Sequence, residues 1–203
     1  MATNKSTSEF INETQSLLVI KEMIQVSKNK LRRDGILFIV WGWVLFFVSI
    51  SGYIERSFAL SFSVHKVLNL MGVVFPLLAA LFSIYYIVKQ RKKVQTYIGT
   101  SLRYVWISFF ISMVLVNLIQ FNVLHSINFE LQHPIFMVLM AFAVTITGCI
   151  LRYRLIIAGG VIFGILSLAA SYLKLPEQLL LESAAWVIAF IIPGHILYAN
   201  RKK

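Results

Sequence analysis

The stretch ILFIVWGWVLFFVSISGYI, residues 36–54, runs for 19 residues without a charged side chain. A helix needs about 20 apolar residues to cross a hydrocarbon core of ~30 Å, so this segment has the length of a membrane span. Five more stretches pass the same test: Val67–Val88, Tyr104–Leu124, Pro134–Leu151, Leu155–Leu173 and Leu179–Tyr198. Together the six cover 119 of 203 residues. The composition agrees, with 59% hydrophobic and only 13% charged residues, against roughly 25% charged in soluble domains. A soluble chain of this length has too little interior to hide that much apolar surface. An ordinary soluble enzyme, a disordered tail and a disulfide scaffold are therefore excluded, and the single Cys149 leaves no internal disulfide to form.

The expected fold is all-α, a polytopic membrane bundle of six transmembrane helices. Short connections make neighbouring spans three antiparallel hairpins. The domains are a cytoplasmic head over residues 1–34, a transmembrane unit over 35–198 and a basic tail over 199–203.

The net charge of +11 would suit nucleic acid, but its distribution speaks for topology. With residue 1 in the cytoplasm, 16 of the 19 Lys and Arg fall in segments 1–35, 89–103, 152–154 and 199–203. Arg56, Lys66 and Lys174 fall on the other side. That is the positive-inside pattern, and it puts both termini in the cytoplasm, facing anionic lipid, with no nucleic-acid partner. The polar leader of about 35 residues is too long for the n-region of a signal peptide, so the first span is expected to stay attached.

The head is expected to hold an amphipathic helix over residues 8–33. Phe10, Leu17, Ile24 and Leu31 recur every seven residues, with Ile20 completing the stripe. Ser8 suits an N-cap and Asp34-Gly35 a break before the membrane. Such a helix lies on the bilayer or its own bundle, pairs with a second copy in a homo-oligomer, or docks a cytoplasmic protein.

Inside the spans, Gly160, Gly164, Ser167 and Ser171 form a small-residue stripe suited to close helix packing. Pro76 and Pro193 each remove a helical hydrogen bond and predict kinks. Glu182 is the one acidic residue within a span, three residues inside its outer end. Asn117, Gln120 and Asn122 give the third span a polar outer half. These four are candidates for a polar intramembrane pathway or for hydrogen bonding between helices. Glu130 and His133 make an E-x-x-H in an outer loop near His125, a weak metal candidate because di-iron sites need two such motifs on helices. Zinc-protease, nucleophile-elbow and nucleotide-loop motifs do not occur, which speaks against catalysis and for no cofactor.

The segment Ser16–Ile24, with Lys28, Lys30, Asp34-Gly35 and Trp41-Gly42-Trp43, resembles the start of a group of small multi-span inner-membrane proteins of Bacteroidetes-type bacteria. Pro193-Gly194-His195-Ile196-Leu197 is similar to that group's closing motif. The resemblance centres on residues 16–43. It implies a bacterial cytoplasmic membrane and an amphipathic helix joined to a bundle, and it brings no activity with it.

Two functions are consistent with these features: a non-catalytic sensor, regulator or assembly factor signalling through the head, or a small ion or solute channel or transporter. Removing residues 1–33 is expected to leave the spans inserted while altering assembly or regulation. Loss of the truncated chain from the membrane fraction would refute the division into head and bundle.

Overall fold

The computed structural model describes residue 18 and residues 35–59, 61–91 and 97–199. The amphipathic head, apart from Leu18, and the tail beyond Ala199 lie outside the described residues. The described chain is helical without strands: α1 (Ile36–Ser57), α2 (Phe62–Arg91), α3 (Tyr97–Leu124), α4 (Phe129–Leu151), α5 (Arg154–Ala170) and α6 (Leu175–Ala199). Five of these, all but α5, are long and apolar enough to cross a membrane. α5 has 17 residues, fewer than the expected span 155–173, because the helix stops at Ala170 and residues 171–173 turn back.

Several helices begin before their apolar runs. Asn128 caps α4 by accepting from the Leu131 N–H at 3.3 Å. Glu130 and His133, expected in a loop, therefore stand on the first turns of α4. At the start of α6 the Lys174 N–H donates to Glu177 at 3.1 Å, and Pro176 sits in the first turn, where its missing N–H costs nothing. Glu182 consequently lies about two turns inside α6 rather than at its rim.

Successive helices run antiparallel. One end of the bundle carries His65, His125 and His133 and is called here the histidine end; the other carries Arg91, Arg152 and Arg154 and is the arginine end. At the arginine end, α4 passes into α5 through Arg152 in a left-handed conformation (φ 52°, ψ 45°). The Tyr153 N–H then reaches back to the Gly148 carbonyl at 2.9 Å, closing a Schellman turn that normally takes glycine.

Small residues set the close approaches. A Cβ on Gly160 would stand 2.7 Å from the Thr145 backbone nitrogen, and one on Gly148 2.7 Å from that of Ile157. Ser167 continues the seam by donating its hydroxyl to the Pro134 carbonyl at 2.8 Å. The expected stripe is thus an intramolecular contact of α5 with α4 through Gly160, Gly164 and Ser167. Ser171 falls beyond the helix, exposed, and bonds the Leu168 carbonyl. A second stripe went unread in the sequence: Gly35 just before α1, and Gly42 and Gly52 within it, face Gly194, Phe190 and Leu179 of α6.

α6 answers Pro193 by widening. Residues Val187–Ile191 form a π turn, and the Ile192 N–H bonds Val187, five residues back. A proline ring clashes with the carbonyl four residues before it, and a π turn moves that carbonyl aside. The widened turn seats on Gly159, where a Cβ would meet the Ala189 Cα at 2.8 Å. Pro76 lies inside α2, which continues through it.

Trp186 is the hub of the core. Its ring meets Phe190 at 4.9 Å, Phe163 at 5.0 Å and Phe136 at 6.1 Å, and Phe190 in turn meets Phe38 of α1 at 5.3 Å. α2 leans on α1, with the Trp41 indole donating to Ser83 at 2.9 Å. α3 leans on α4. Both leave broad apolar faces exposed, as lipid-facing helices do.

The seam makes a graded prediction. Gly160→Ala meets backbone that cannot yield and should destabilise the bundle by about 1–3 kcal/mol. Gly164→Ala, whose nearest neighbour is the Ala141 methyl at 3.5 Å, should be close to neutral. Denaturant titration in detergent compares the two, and equal effects would contradict the packing described.

Candidate functional site: a polar layer at the histidine end

Pro134 is the sixth residue of α4 and has no N–H, so the Glu130 carbonyl loses its helical donor. In an apolar surrounding that oxygen needs a replacement. Gln178 of α6 supplies one, its Nε2 lying 3.0 Å from the Glu130 oxygen, and the same amide donates to the Leu173 carbonyl at 2.9 Å. Gln178 is 1% exposed. It was not singled out in the sequence, although Pro134 announces that some donor must come.

One turn further along α6 lies Glu182, with its side chain 6% exposed. Its two oxygens have separate partners. Oε2 lies 2.8 Å from His133 Nδ1 and Oε1 accepts from the Trp186 indole at 3.2 Å. Gln178, Glu182 and Trp186 are spaced i, i+4 and i+8, so they share one face of α6, toward the start of α4. The side-chain pair thereby fastens the first turns of α4 to the aromatic hub.

The layer extends to α3. Gln132 donates Nε2 to Asn117 Oδ1 at 2.9 Å, and Asn117 donates Nδ2 to the Met113 carbonyl at 2.8 Å. Gln120, 5% exposed, accepts the Asn128 N–H at 3.2 Å. Helices α3, α5 and α6 thus all hold the opening of α4 through directional bonds.

Of the residues picked from sequence, Asn117, Gln120, Glu182 and His133 come together here. Asn122 and His125 are exposed outside the layer, and Glu130 contributes only its backbone, with its side chain exposed. The E-x-x-H does not converge: His133 turns to Glu182 instead. Among the described residues no three His, Cys, Asp or Glu side chains gather in a metal-binding group. A second imidazole–carboxylate pair joins α1 and α2 at the same end, with His65 at 2.7 Å and Asn69 at 2.9 Å from Glu55 Oε1. His195 sits at the other end, its Nδ1 2.8 Å from the Ile191 carbonyl of the π turn.

Comparison of the chain with protein-family models, with curated proteins and with solved structures finds no match.

A double-mutant cycle tests the central assignment. Gln178→Leu should destabilise by about 1–3 kcal/mol, the cost of orphaned buried acceptors. In a Pro134→Ala background, which returns a helical donor to Glu130, the same change should cost about 1 kcal/mol less. Equal costs in both backgrounds, measured by denaturant titration, would show that Gln178 does not serve that carbonyl.

Proposed function

We propose that this chain is a non-catalytic, six-span protein of the bacterial cytoplasmic membrane, with both termini in the cytoplasm, acting as a membrane-embedded sensor, regulator or assembly factor. The charge pattern supports this orientation. The histidine end then faces outward, and the 17-residue α5 completes the sixth crossing.

The observation that carries the reading is the Glu182 carboxylate, divided between His133 and Trp186. It makes the polar layer an input element, coupled by direct bonds to the packed hub. From the hub, α6 runs to the arginine end, where Gly194 is in backbone contact with Gly35. Gly35 is the residue at which the head joins the bundle. A shift of α6 therefore reaches Gly35 by contact, next to residues 8–33, the proposed output.

Hydrogen–deuterium exchange of the full chain in lipid nanodiscs tests this. Glu182→Gln should change protection within residues 8–33 as well as around His133. An effect confined to the outer end would remove the sensor reading.

A small channel or transporter is the second reading, favoured by the amides and carboxylate buried within span-length helices. Against it, Trp186 packs against Phe163 and Phe136 next to the polar layer, with Trp186 and Phe163 fully buried. Liposome flux of ions and small solutes should therefore match protein-free vesicles. Robust flux lowered by Glu182→Ala or Asn117→Leu would reverse the order of the two readings.

A further inference from the structure

Three glutamine amides of the polar layer are each half-satisfied. Gln178 Oε1, Gln132 Oε1 and Gln120 Nε2 are buried without a hydrogen-bond partner in the protein. Rotating the amides does not cure this. A flipped Gln178 would set its oxygen against the Glu130 and Leu173 carbonyls, and a flipped Gln132 would set its oxygen against Asn117 Oδ1. A flipped Gln120 would oppose its NH2 to the Asn128 N–H. The orphans belong to the arrangement itself.

Their chemistry selects the ligand. Two are carbonyl acceptors and one is an N–H donor. Each is a single neutral amide atom, and a bound ion would need several such atoms or a counter-charge around it. Water donates and accepts, and it is small enough for sites between packed helices. We propose that the layer is hydrated inside the bundle, with water held separately at Gln120, Gln132 and Gln178. Gln178 lies one turn from Glu182 on the same face of α6, so this water places the buried carboxylate in proton exchange with the aqueous phase at the histidine end. The groups bonded to Glu182 are His133 from α4 and Trp186 from its own helix. The inference concerns what the layer binds, and stands whether or not the head is an output.

The Trp186 indole N–H, fully buried against Glu182, is the reporter. Its hydrogen–deuterium exchange can be followed by NMR on the full chain, with the Trp41 indole, bonded to Ser83, as internal reference. The test variant is Gln178→Met in a Pro134→Ala background, compared with Pro134→Ala alone, so that the Glu130 carbonyl keeps a donor in both. Removing the Gln178 water is expected to slow Trp186 exchange at least tenfold and leave Trp41 unchanged. Unchanged Trp186 exchange overturns the proposal. Should that variant not fold, pulsed hydroxyl-radical footprinting of the unaltered chain decides. Labelling of buried Trp186 at least threefold above buried Met140, after correction for intrinsic reactivity, supports bound water, and labelling at the Met140 level refutes it.

Discussion

A buried carboxylate must be matched oxygen by oxygen, and the histidine end of this bundle is arranged around that demand. Glu182 is flanked on one side by an imidazole from another helix and on the other by an indole from its own. Taking away one partner leaves a buried oxygen without its hydrogen bond, typically at a cost of about 1–3 kcal/mol. The position of α4 against α6 is therefore fixed at a point, where apolar packing alone would tolerate sliding. The same stretch of α4 is held twice more: the Gln178 amide meets the Glu130 carbonyl freed by Pro134, and Ser167 of α5 meets the Pro134 carbonyl one turn on.

The two ends of α6 are built on different physics. Toward the histidine end it is held by directional bonds to side chains and carbonyls. Toward the arginine end it is held by proximity, glycine against backbone, with the π turn let into a flat face of α5. Directional bonds have discrete arrangements and can be remade. Close backbone packing has little freedom except to move as a body. The proposed sensor uses this difference: a change of bonding at one end is to appear as a displacement at the other, because packed interiors shift between arrangements rather than deform continuously.

Much of the fold was legible because hydropathy alone locates helices such as α1, whose core has no charge over residues 36–54. Helix starts were less legible. Residues 129–133 and 175–178 look like loop by polarity, and they are helical because Asn128 caps one and Gln178 ties them to each other. Such contacts leave no periodicity in the sequence. The Gly160–Ser167 seam stood out through its spacing of four and then three residues. The α1 stripe escaped because Gly35 and Gly42 are seven apart, a spacing easily lost in a long apolar run. Within the site, Glu182 announced itself as an acid among apolar neighbours. Its partner His133 lies 49 positions away, beyond anything local pattern can supply.

The brevity of α5 has a consequence for the surrounding lipid. At 17 residues it rises only about 25 Å, while its neighbours are long enough for a core of ~30 Å. Arg154 stands at one of its ends, and Lys174 just past the other. In a bilayer, lipid tails beside α5 must shorten or tilt there, or the flanking cations must reach outward to headgroups. Each ångström of such mismatch costs a fraction of a kcal/mol. The bundle is thus uneven in hydrophobic height around its circumference, and it would sit at lower cost in a thin bilayer, or beside short-chain lipids, than in a thick one.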